Sequence, residues 1–187
     1  MIDIQLRGLD ILQKRLKGIP GAAEWAIMRT LNDVAISGRQ SAVEDILARY
    51  NIGDTPVRKG MKIEKATTDR PIAIIHVGGR RFPLAMFSPQ REKEGVSFEE
   101  VRGKRTTIAH TFSAVMQYGP NVFRRKGEAR GPVQMITGLS VANMAREEEK
   151  VLPDIRARIE EQLSKRAEFW MGEALAGNMA KYGGGHS

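Results

Sequence analysis

Residues 22–50 read AAEWAIMRTLNDVAISGRQSAVEDILARY, an unbroken run with apolar side chains at Ile27, Leu31, Val34 or Ala35, Ala42, Ile46 and Tyr50. That spacing places them on one face of a helix of period 3.6, with Arg29, Arg39, Glu44 and Arg49 off the stripe. Pro20 and Gly21 open the helix, and Asn51-Ile-Gly-Asp-Thr-Pro closes it. Gly38 lies within the stripe. It weakens the helix by about 1 kcal/mol relative to alanine and gives another element room for close approach.

Upstream, Ile2, Ile4 and Leu6 alternate with Asp3 and Gln5, the pattern of a half-buried strand. Leu9, Leu12 and Leu16 then fall on one face of a short helix that Gly18 to Gly21 stops. Downstream, residues 57 to 87 read as β structure. Met61 to Ala66 alternates, Ile72-Ala-Ile-Ile-His-Val is a strong strand closed by Gly78-Gly79, and Arg81 to Phe87 is a short strand that Pro83 confines to an edge. Ser88 to Gly95 is a polar loop. Val96 to Val101 and Thr106 to Val115 are further strands joined by the basic turn Arg102-Gly-Lys-Arg. Tyr118-Gly-Pro-Asn turns into a strand at Val122, Lys126 to Pro132 is an exposed loop, and Val133 to Ile136 completes the β region. A last helix starts near Pro153 and carries Ile155, Ile159, Leu163, Ala167, Trp170 and Ala174 on one face. Helices segregated from a contiguous run of strands predict an α+β fold. The expectation is a mainly antiparallel β-sheet covered by a long helix in the N-terminal half and a long C-terminal helix. One domain is expected over 1–182, followed by a disordered Gly-rich end at 183–187.

The chain of 187 residues has no cysteine, which removes disulfides, thiolate nucleophiles and Cys-ligated zinc. Asp3 and the lack of a long apolar run near Met1 argue against a signal peptide, and no stretch reaches the length of a membrane helix. The net charge of +8 speaks of partners: nucleic acid, anionic lipid or an acidic protein surface. His76, His110 and His186 have no converging partners at metal-ligand or triad spacing, so His76 and His110 are read as structural. Glu147-Glu-Glu reads as a solvated helix face, and Gly78-Gly79-Arg80-Arg81 matches no phosphate-binding loop. No catalytic residue, metal site or cofactor site is expected. Arg80, Arg81, Arg102, Lys104, Arg105, Arg124, Arg125 and Lys126 stand at the ends of expected strands. Gathered at one rim of a sheet, they would contact DNA phosphates or an acidic partner without sequence-specific readout.

Ile108-Ala-His-Thr-Phe-Ser-Ala, Gly119 with Val122-Phe-Arg-Arg, and Gly138-Leu-Ser-Val-Ala-Asn-Met follow one another in an order that resembles the minor tail protein Z family of lambda-like phages and prophages. Tyr50-Asn-Ile, Val57-Arg-Lys-Gly-Met-Lys-Ile and Pro83-Leu-Ala-Met-Phe-Ser-Pro agree with it, so the resemblance runs from about residue 5 to 180. Where the family pattern has Gly-Pro-Ser, this chain has Gly138-Leu139-Ser140. The resemblance implies a tail-completion protein at the head-proximal end of the virion tail, assembled in the host cytoplasm and not attached to a membrane. It implies a hexameric ring of the chain itself. The other implied partners are a tail terminator or tail tube protein, head-completion (neck) proteins, and the phage DNA end in the lumen. Heterologous surfaces that close a ring would come from the Ser88–Gly95 and Arg124–Gly131 loops and the C-terminal helix. Phe87, Phe123 and Trp170 are the side chains expected at the assembly interface. The competing expectation is a non-specific DNA-binding protein that uses the basic rim.

Overall fold

The computed structural model describes residues 2–7, 14–117, 119–127, 131–146 and 151–182, with residues 2–7 and 151–157 described as backbone. Both helices and antiparallel sheets are present, as expected of an α+β chain. The strands, read above as one sheet, are distributed over four small sheets, and every pairing among them is antiparallel. The chain forms two compact units, each built from discontinuous segments: residues 1–42, 61–77 and 149–187, and residues 43–60 and 78–148. The domain expected over 1–182 takes in both.

In the first unit, strands β1 (Ile2–Arg7), β2 (Met61–Glu64) and β3 (Ile72–Val77) lie in the order β1-β3-β2, with Ile4 and Ile63 both opposite Ile75. Helix α1 (Ala22–Arg49) contributes residues 22–42 to this unit. Its buried stripe is the one read from the sequence: Ile27, Leu31, Val34, Ala35 and Ala42 are buried, as are Ala73, Ile75 and Val77 of β3. Gly38 is the point of close approach. A Cβ there would lie 3.1 Å from Ile159 of the C-terminal helix and 3.7 Å from Ile75 of β3, so two helices and the sheet meet at the one position without a side chain. Asn32 clips the β2–β3 connection to α1 by a reciprocal pair: its Nδ2 donates to the Ala66 carbonyl at 3.0 Å, and the Ala66 N–H donates to its Oδ1 at 2.7 Å. The short helix expected across Leu9 to Leu16 lies mostly outside the described residues, although Leu16 itself is buried.

In the second unit, Val57-Arg-Lys is helical where a strand was expected. Helix α2 (Asp54–Lys59) has Asp54 and Pro56 in its first turn, where proline loses no helical hydrogen bond and a carboxylate meets the positive end of the dipole. Strand β4 (Arg81–Pro83) is followed by a 3-10 turn (Leu84–Met86), then β5 (Gln90–Arg91), β6 (Gly95–Val101), β7 (Lys104–Ala109), β8 (Thr111–Met116), β9 (Gly119–Arg125), β10 (Val133–Met135), β11 (Thr137–Ser140) and helix α3 (Val141–Arg146). Their sheets are β5-β6-β7, β10-β9-β8 and β11-β4. The Thr106–Val115 strand is split at His110, whose φ of 57° is left-handed. The end of α1 and the two residues after it are fixed to the β6 region and to α3: Asn51 N–H donates to the Glu100 carbonyl at 2.8 Å, Arg102 N–H to the Arg49 carbonyl at 2.9 Å, and the Tyr50 hydroxyl to the Met144 carbonyl at 3.4 Å.

Helix α4 (Val151–Leu175) and the single turn α5 (Met179–Tyr182) return to the first unit. Ile159, Trp170 and Ala174 of α4 are buried, as the sequence stripe predicts. The Glu147-Glu-Glu run lies outside the described residues.

On the β2–β3 surface, His76 Nε2 lies 3.1 Å from Glu64 Oε2, and Arg70 hydrogen-bonds the other oxygen of the same carboxylate. The His76 hydrogen bond, and next the Arg70 one, hold the Glu64 carboxyl below its ordinary pKa. A depressed folded pKa contributes stability above the unfolded value of 4.5, and that contribution is lost as pH falls through the folded value. Thermal melts of the wild type and Glu64→Gln are expected to differ at pH 6 and to converge as pH drops below 4.5. The gap is small because all three side chains are substantially exposed. A gap that widens on acidification would contradict this account.

Candidate functional site

The strand-end cations do not form one rim. Lys104 opens β7 and Arg124 is paired with Thr111, just past its far end, so the two basic groups stand at opposite ends of a strand about 17 Å long. The cause is topological. The chain reverses at Arg102-Gly103 and again after Met116, so strand ends that are close in composition alternate in space. Arg80 and Arg81 are exposed, and Arg81 lies on a different sheet, where it pairs with Ser140.

Two of these residues work inside the fold. Arg102 Nε donates to the Leu47 carbonyl at 3.0 Å, capping one of the C-terminal carbonyls that α1 leaves unsatisfied. Arg105 donates from Nη1 to Ser97 Oγ at 3.0 Å and from Nη2 to the Ser88 carbonyl at 3.1 Å, tying β7 to the chain before β5. Lys104, Arg124, Arg125 and Lys126 are exposed, and the Arg125 guanidinium lies 5.2 Å from the centroid of the Phe112 ring.

The aromatic side chains expected at an assembly interface are core residues. Phe87 is 0% exposed, Phe123 7% and Trp170 7%. Phe87 packs against Gly138, where an added Cβ would come within 2.6 Å of its ring. Phe123 lies 6.2 Å from Phe112 across β8 and β9. Trp170 meets Trp25, Phe169 and Tyr182 edge-on at centroid distances of 5.3, 5.0 and 5.3 Å. Among the described residues the exposed large apolar side chains are instead Val115 (79%), Met116 (38%) and Met135 (41%) on the β8–β10 sheet and Phe169 (48%) and Leu175 (57%) on α4, with Ile36 and Met86 elsewhere. Strand alternation groups Met116 with Phe112, but which face another element covers is a tertiary fact that the pattern does not carry.

The Leu139 N–H donates to Glu100 Oε1 at 2.7 Å, a bond that proline in that place could not make.

Among the described residues, no group of three or more His, Asp or Glu side chains is placed to hold a metal ion. His110 is exposed in its turn, and His76 is engaged with Glu64. A polar cleft of about 270 Å³ in the first unit is lined by Ser37, Ser41, Arg158, Glu161 and Gln162, and the Ser37 hydroxyl there donates to the carbonyls of Asp33 and Val34 at 3.0 and 3.2 Å. What the site offers is docking chemistry: cations, thioethers and aromatic rings on an exposed antiparallel sheet. Comparison with protein-family models, with curated proteins and with solved structures finds no match to the chain.

Proposed function

We propose that the chain is a structural protein of a tailed-phage virion, a tail-completion or minor tail protein at the head-proximal end of the tail. It assembles with copies of itself and with neighbouring tail and neck proteins, supports head–tail joining and genome passage, and carries out no catalysis. The order of motifs from Tyr50 to Met144 supports this reading. The structural observation that carries it is the β8–β10 sheet, where the half-exposed Met116 and Met135 share a face with Arg125. A free monomer gains nothing from such a surface, whereas a partner covers it. Among the described residues no helix is long and apolar enough to cross a membrane.

Electron microscopy of tails assembled with and without the protein tests this. The expected result is loss of density at the head-proximal end together with failure to join heads. Tails of normal appearance that still join heads would refute the placement.

The exposed side chains of Lys104, Arg124 and Lys126 favour a second reading, non-specific DNA binding. If Arg124, Arg125 and Lys126 each neutralise one phosphate of a duplex, log K should fall against log salt with a slope of about −2.7. A salt-independent affinity, or none, would exclude it.

A further inference from the structure

Direct opposition across an antiparallel pair, and alternation along each strand, put Phe112, Met116, Phe123, Arg125 and Met135 on one face of the β8–β10 sheet. Arg125 is the cation of that face, and residues 111–127 include not a single carboxylate. On α4, Glu168, Phe169, Gly172 and Leu175 share one face by their spacing. Gly172 has open space where its Cβ would be, so Phe169 and Leu175 flank a notch in the helix surface. Lys165 shares that face by the same spacing and is paired with Glu161, while Glu168 stands beside Phe169. The chain thus displays two exposed apolar faces of opposite local charge, one in each compact unit.

We propose that these faces are partners: the Phe169–Leu175 face of α4 in one copy docks on the β8–β10 sheet of the next. The inference deepens the assembly reading and rests on it. Complementary charge selects this occupant, with Glu168 meeting Arg125 of β9 as Phe169 packs against the methionines. Unbranched thioether side chains mould to an aromatic ring and gain sulfur–aromatic contact, which suits Met116 and Met135 to receive Phe169. The two faces differ, so the contact is heterologous. Every copy keeps one free face of each kind, and association runs head to tail until a closed ring or an open filament forms.

Sedimentation velocity of the full chain over a concentration series reads this directly. The wild type is expected to pass beyond dimer and to weaken as salt rises. Two variants separate the faces: Met116→Glu with Met135→Glu, and Phe169→Glu with Leu175→Glu. All four positions are exposed, and unchanged circular dichroism and melting verify folding. Each variant alone should associate roughly 100-fold more weakly, the scale of losing an interface anchor. Mixed in equal amounts, the two retain one intact pair of faces and should form a 1:1 dimer and nothing larger.

A wild type that stays monomeric, variants that associate like the wild type, or a mixture that stays monomeric would each overturn the docking. So would a monomeric wild type whose sheet variant alone loses binding to anionic lipid vesicles, which would make the occupant a membrane surface. The outcome is separable from that of the tail reading. Normal incorporation of both variants into tails overturns these faces and leaves the virion role standing. Head-to-tail association of a chain absent from tails does the reverse.

Discussion

Replacement of Trp170 by alanine is expected to destabilise the first unit by about 3–5 kcal/mol, the range for deleting a large buried aromatic side chain. The indole is nearly buried and is the hub of the contacts that hold α4 to α1. It meets Trp25 edge-on, with centroids 5.3 Å apart and planes at 88°, and the Arg29 guanidinium carbon lies 5.6 Å from the centroids of both rings. Its Nε1 donates to Asp33 Oδ2 at 2.9 Å, and Arg166 reaches the same oxygen at 3.8 Å. Two controls divide the effect. Trp170→Phe keeps most of the ring and loses the hydrogen bond to a carboxylate, for about 1.5–3 kcal/mol. Trp25→Phe should cost less, because among the described residues the Trp25 Nε1 is buried without a hydrogen-bond partner. Denaturant unfolding orders the three variants, and equal losses for Trp25→Phe and Trp170→Phe would contradict the assigned roles.

The elements that depend on local pattern were legible. Helix α1 runs from Ala22 to Arg49 because nearly thirty residues keep one apolar stripe and no proline interrupts them. The close approach expected at Gly38 is present, since an absent side chain inside an apolar stripe invites a neighbour. Helix α2 was misread because its six residues are too few to show periodicity and Pro56 reads as a turn. The break at His110 was invisible in a β-branched run: β7 is committed to β6 and β8 to β9, and the left-handed residue between them follows from those pairings.

The candidate site divides in the same way. Its charge was legible and its geometry was not. Arg102 and Arg105 look like Lys104 in sequence, yet their partners Leu47, Ser97 and Ser88 lie up to 55 residues away. Phe87, Phe123 and Trp170 were expected outside because aromatic residues are common interface anchors. In a chain with 6% aromatic residues the core has first need of them.

The second large effect is expected from one methyl group. Gly95→Ala places a Cβ inside the van der Waals envelope of the Ile108 carbonyl oxygen, 3.0 Å from the Ile108 carbonyl carbon and 3.1 Å from the Ala109 Cα. All of these atoms are backbone, so no rotamer change can relieve the contact, and β6 must part from β7 at the Gly95–Ala109 pair. Overpacking a rigid site costs about 1–3 kcal/mol and more where the backbone cannot yield, so the upper end or beyond is expected here. The displaced strand carries buried Val96 and Phe98, and its Val96 N–H is held by Thr111 Oγ1 at 3.1 Å, so the strain passes to the start of β8. Gly103→Ala is the contrasting substitution. At φ +76°, with nothing within 4 Å, it incurs only the left-handed backbone cost of about 1–2 kcal/mol. Hydrogen exchange on both variants distinguishes the mechanisms. Protection should be lost across β6 and β7 in Gly95→Ala and only around the 102–104 turn in Gly103→Ala. Matching exchange patterns would mean that the β6–β7 contact at Gly95 is not as tight as its geometry requires.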